Sequence, residues 1–141
     1  MGILTRHSRL SGPLTLLLIA SLAGCGGPAV TPKNNADLAH LIDCHSYHVN
    51  HDKLAGPINR SLGLVTDGGC SLDKGGDVQV RWYRDHDGVQ GAIQLGRMTS
   101  QQFGSSSTCL AGDTWLVCGS NQAAQAAQAK VGGDIEQLGL G

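Results

Sequence analysis

Four cysteines constrain this chain more than any other feature: Cys44, Cys70, Cys109 and Cys118. Their meaning depends on what precedes them. Residues Met1 to Pro13 carry Arg6 and Arg9 and no acidic side chain, and Leu14 to Ala20 (LTLLLIA) is an apolar run with a small-residue exit. A basic head, a short greasy middle and small residues after it form the pattern of a secretory signal. The run falls well short of the about 20 apolar residues that cross ~30 Å of hydrocarbon. Arg6 and Arg9 are not adjacent, so the twin-arginine signal is absent. Export delivers the remaining chain to an oxidising compartment, where an even set of cysteines pairs. Four cysteines allow three pairings. The favoured one is Cys44–Cys70 with Cys109–Cys118, whose loops stabilise by about 3.5 and about 2.7 kcal/mol when closed. No C-x-x-C occurs, so a thioredoxin-like redox role lacks its motif.

The fifth cysteine stands apart. Leu22-Ala23-Gly24-Cys25 matches the lipobox of bacterial lipoproteins. The resemblance implies cleavage before Cys25 and a thioether-linked diacylglycerol on its sulfur. Each buried lipid CH2 contributes about 0.8 kcal/mol, and two chains anchor stably where one does not. The resemblance therefore predicts a domain anchored on the extracytoplasmic face of the cell membrane, which it does not span.

Removing residues 1 to 24 from 141 leaves 117. The expected division is a signal peptide over 1–24, a lipidated tether over 25–35 and one small domain over 36–141. Gly26 to Asn35 (GGPAVTPKNN) has no periodicity and reads as the tether. Aromatic residues make up 4% of the chain and glycines 21 of 141, so the core falls to Val, Leu, Ile and Ala. Without the leader, eight basic residues face eleven acidic ones, about −3 in all. Nucleic acid as a partner calls for a basic patch, so that class is excluded.

The mature chain alternates helices and hairpins. Ala36 to Cys44 puts Leu38, Leu41 and Ile42 on one stripe, with Asn34 or Asn35 as cap. His45 to Ser61 is polar, broken at Gly56-Pro57, and reads as an irregular connection. Leu62 to Leu72, a glycine-weakened strand, and Asp77 to Tyr83 form a hairpin around Asp73-Lys74-Gly75-Gly76. Alternation turns Val78, Val80 and Trp82 inward and Gln79, Arg81 and Tyr83 outward. A second helix over Val89 to Met98 follows, weakened by Gly91 and Gly96. The second hairpin joins Thr108–Leu110 to Trp115–Gly119. Ser120 then caps an alanine-rich helix from Asn121 to about Val131, stopped by Gly132-Gly133. The order helix, hairpin, helix, hairpin, helix predicts an α+β two-layer sandwich with an antiparallel sheet and two disulfides.

With its lipobox at Cys25, a first helix running into Cys44, a Gly-Cys strand at Cys70 and a tail helix ending Lys130-Val131-Gly132-Gly133, the chain resembles small secreted actinobacterial lipoproteins. The resemblance implies a compact antiparallel domain displayed outside the membrane. It offers no catalytic residues to carry over.

Two constellations merit testing. His40, His45, His48 and His51 place four of the six histidines within twelve residues. On a helix, His45 and His48 are i, i+3 neighbours, with His51 three residues on, a set suited to zinc or copper. Arg81, Tyr83 and Arg84 predict an exposed strand face of the kind partner proteins use. Asp85-His86-Asp87-Gly88 lacks the glycine and glutamate offsets of a calcium loop and reads as a turn and helix cap. Ser105 to Ser107 sit in no nucleophile elbow. The expectation is a non-enzymatic interaction or envelope module without an obligatory cofactor, acting on an envelope protein partner. The alternative is a zinc- or copper-binding lipoprotein.

Overall fold

The computed structural model describes residues 30–54, 56–103 and 107–138; of 53, 54 and 101–103 only the backbone is considered. The leader and Cys25 lie outside the described residues. Eleven elements follow in chain order among them: α1 (Asn35–Leu41), β1 (His45–Val49), α2 (His51–Leu54), α3 (Pro57–Ser61), β2 (Leu64–Leu72), β3 (Gly76–Tyr83), α4 (His86–Phe103), β4 (Thr108–Ala111), β5 (Trp115–Gly119), α5 (Asn121–Val131) and β6 (Asp134–Gln137). The strands form one six-stranded sheet in the order β1-β2-β3-β5-β4-β6, every pair antiparallel. The α+β class with its antiparallel sheet is as the sequence predicts. No described helix is long and apolar enough to cross a membrane.

Both expected bridges are present. Cys44–Cys70 ties the chain after α1 to β2, with Cα atoms 5.6 Å apart. Cys109–Cys118 joins β4 to β5 at directly paired positions, Cα atoms 4.0 Å apart.

The layering differs from expectation. Leu38 of α1, its C-cap Ile42, and Ala123, Ala124, Ala127 and Val131 of α5 pack on Val78, Val80, Leu110, Trp115 and Val117. The opposite face is also covered: Val89, Ala92 and Ile93 of α4 pack on Tyr83, Cys109, Ala111 and Leu116. Helices on both faces make three layers rather than two. Period-two alternation correctly assigns Val78, Val80 and Trp82 to the α1/α5 face. It wrongly leaves the other face to water, because α4 lies over it.

Two strands escape the sequence pattern. The connection after Cys44 holds edge strand β1, whose register shifts between His45 and His48 and whose Ser46 has φ 56°. That irregularity erases the alternation that marks a strand. At the far edge, the four-residue β6 pairs with β4, and Thr108 Oγ1 donates to Gln137 Oε1 at 2.9 Å.

Capping fixes the helices. Asn34 Oδ1 accepts from Asp37 N at 2.9 Å, so Asn34 caps α1. Asn35 is buried, and its Nδ2 donates to Tyr47 Oη at 2.9 Å and to the Val80 carbonyl at 3.0 Å. Asp85 Oδ1 accepts from Gly88 N at 2.9 Å and opens α4. A Cβ at Gly88 would lie 2.2 Å from the Leu62 carbonyl oxygen, so only glycine lets α4 seat against the end of α3. Thus α4 runs 18 residues, past the ten expected, because packing outweighs its weak glycine positions. Ser120 caps α5 as expected. Lys130 of α5 pairs with Asp43 and holds that carboxyl below its ordinary range through the hydrogen bond and the charge.

Candidate functional site

Polar chemistry concentrates on the α4 face around Asp67, a residue of β2 that is 0% exposed. Its cross-strand partner is Arg81, and Gln79 lies two residues along β3 on the same face. Arg81 Nε donates to Asp67 Oδ2 at 3.1 Å. Gln79 Nε2 reaches Oδ1 at 3.2 Å and Oδ2 at 3.1 Å. Asn50 Nδ2 donates to Oδ1 at 3.0 Å, while Asn50 N donates to the Asp67 carbonyl at 2.8 Å. A carboxyl removed from water is tolerated when its lone pairs are met this way.

Tyr83 continues the row on β3 and is 1% exposed. Burial pushes its phenol above the ordinary 10.0; the neighbouring Arg81 pulls down through charge and hydrogen bonding, and Asp67 pushes weakly up. The net is a phenol kept neutral at physiological pH. Between this row and α4 lies a cavity of about 280 Å³. Gln79, Arg81, Leu116 and the Cys109–Cys118 bridge line its sheet side, and Leu95 and Thr99 line its helix side.

The expected strand face of Arg81, Tyr83 and Arg84 does not exist as one surface. Tyr83 is buried under α4, and Arg81, 27% exposed, is committed to Asp67. Arg84 alone is open to solvent, beside Asp85 at 3.6 Å. The three separate because Arg84 lies in the bend past the end of β3, and α4 covers what was taken for a free face.

The histidines are also dispersed. His45 and His48 lie on β1, not on a helix, and His51 opens α2. His45 Nε2 is 3.0 Å from Asp73 Oδ1, and His48 Nδ1 is 3.2 Å from the Ser46 carbonyl. Cys44 is bridged to Cys70, so no thiolate is offered there. Among the described residues no group of three or more His, Cys, Asp or Glu side chains converges as metal ligands. The helical spacing that would bring the imidazoles together is absent, because β1 forms instead.

Asp67, Gln79 and Asn50 were not singled out from the sequence. The available signal was an aspartate inside a strand, at Thr66-Asp67-Gly68, facing a strand with Gln79 and Arg81 two apart. No protein-family model, curated protein or solved structure matches this chain.

Proposed function

We propose that this protein is a lipid-anchored domain on the extracytoplasmic face of the cell membrane, acting as a non-enzymatic interaction or envelope module. The observation that carries the reading is the pair of disulfides. Such bridges form and persist in oxidising compartments, which agrees with an exported chain. They also account for four of the five cysteines, leaving Cys25 of Leu22-Ala23-Gly24-Cys25 for the lipid. The anchor is a diacylglycerol thioether on Cys25, and the partner is another envelope protein. The outer strands β1 and β6 each have a single strand neighbour among the described residues, and a sheet edge of that kind accepts an added strand.

Metabolic labelling with an alkyne-bearing palmitate, followed by protease treatment of intact cells, tests the proposal. The wild-type protein takes up label and is cleaved from outside; Cys25→Ser takes up none. Label that persists in Cys25→Ser, or a wild-type chain shielded from external protease, contradicts it.

A further inference from the structure

We propose that one end of the sheet lies against the bilayer that holds Cys25, with Val30, Val49, Ile58 and Val65 entering the lipid interface. The inference rests on the anchoring reading and adds to it the face that the membrane meets.

The pairing register defines that end. Tyr83, the last residue of β3, pairs with Leu64, the first of β2, and beside it Trp82 pairs with Trp115, the first of β5. Ala111, the last residue of β4, pairs with Asp134, the first of β6. The strands thus begin or finish together here. The α2–α3 connection, the entry to α4, the β4–β5 turn and Gly132-Gly133 all lie at this end. The β2–β3 turn and the Ser120 cap lie at the opposite one. Between the two ends runs β2, nine residues long, a rise of about 30 Å.

The N-terminal chain meets the fold at the first of these ends. Val30, Thr31 and Pro32 line a groove with Gly112, Trp115 and Gly133. Pro32 is buried, and Lys33 N donates to Asp37 Oδ2 at 2.8 Å, so the chain is already seated on the domain there. Val30 stands five residues after Cys25. Five residues reach at most about 18 Å even when fully extended. A bilayer holding Cys25 is therefore within reach of this end, and the β2–β3 turn stands beyond it.

Exposed apolar side chains gather at the same end. Among the described residues five large ones are open to solvent, and Val30 (54%), Val49 (37%), Ile58 (56%) and Val65 (53%) are four of them. Val49 closes β1, Ile58 lies on α3, and Val65 sits where the register of β2 shifts after Leu64. The fifth, Met98, lies on α4. Single exposed apolar residues are ordinary, but their gathering where the anchor enters is what a lipid-facing surface needs. Charge adds no attraction to anionic lipid: Asp85, Asp87, Asp113 and Asp134 share this end with Arg60 and Arg84. The contact is therefore apolar, forms on zwitterionic lipid and survives raised salt.

The test places the lipidated protein in phosphatidylcholine nanodiscs that contain a lipid with a nitroxide on its headgroup, and reads amide signal intensities by NMR. The amides of Val30, Ile58 and the Gly112–Thr114 turn lose intensity to the nitroxide, while those of Asp73–Gly75 keep theirs. Ile58 and Val65 are exposed, so Ile58→Asp combined with Val65→Asp leaves the core intact. That variant stays bound to the disc through Cys25 but recovers intensity in α3 and at the start of β2. A protein retained by the disc with equal losses at both ends, or with losses unchanged in the double variant, overturns this proposal and leaves the anchor standing. A protein that the disc does not retain overturns the anchoring reading and this proposal with it. Should the double variant fail to fold, the comparison of the two ends in the wild-type protein still decides.

Discussion

Asp67 has no contact with water, and its side chain holds β3 and the start of α2 in place at once. Truncating it leaves the Arg81 guanidinium half-buried without its counter-charge, and Gln79 and Asn50 without an acceptor. Breaking one partner of a buried pair costs about 3–5 kcal/mol. Asp67→Ala should therefore lower stability in urea by that order, and a loss below about 1 kcal/mol would show that solvent screens the pair. Tyr83 gives a pH signature. Its folded-state pKa lies above the ordinary 10.0, so the folded protein holds the phenolic proton more tightly than the unfolded chain does. The associated stability is complete below the unfolded value and falls as pH rises through the folded one. Melting temperature followed from about pH 8 to about pH 11 should drop more steeply for wild type than for Tyr83→Phe. At this scale the sequence was half legible. Alternation placed Arg81 and Tyr83 on one face of β3, but nothing local to the strand reveals that α4 covers them. Asp67 stayed hidden because its partners lie 12, 14 and 17 residues away in the chain.

The turn between β2 and β3 shows how one element depends on another. Gly75 has φ +100°, and a Cβ there would sit 2.3 Å from Ala123 N, at the first turn of α5. Ser120 Oγ, the α5 cap, donates to the Gly75 carbonyl at 2.9 Å. The hairpin turn and the helix start are therefore one unit. Gly76 has φ +76° and nothing within 4 Å of its would-be Cβ. Gly76→Ala should cost about 1–2 kcal/mol for its backbone conformation alone. Gly75→Ala should cost clearly more, since the turn and α5 must also separate. Equal losses in chemical denaturation would mean that α5 yields freely. Elements with strong local signals were readable: the α5 cap, the Asp-Lys-Gly-Gly turn and the β4–β5 hairpin with its facing cysteines. Strands β1 and β6 were not. Both are edge strands held by pairing with distant segments, β1 is interrupted by a register shift, and β6 is only four residues long.

For the whole molecule, the two bridges lie on opposite faces of the sheet. Cys44–Cys70 belongs to the α1/α5 side and Cys109–Cys118 to the α4 side. Each half-core is thus fastened separately, which suits a domain poor in aromatic residues. The third layer was invisible from the hairpin order, because two hairpins covered by helices on one face or on both read alike. The helical spacing assumed for His45, His48 and His51 was misjudged for a related reason: spacing alone cannot distinguish a histidine-bearing helix from a bulged strand. The proposed lipid anchor on Cys25, with a bridged domain hung from it outside the cell, is put to the test by the intact mass of the protein purified from membranes, with and without reductant. It predicts a chain beginning at Cys25, heavier than its sequence by an acyl modification, that gains four hydrogens on reduction of its two disulfides. A mass that includes residues 1–24, or one that reduction leaves unchanged, would contradict it.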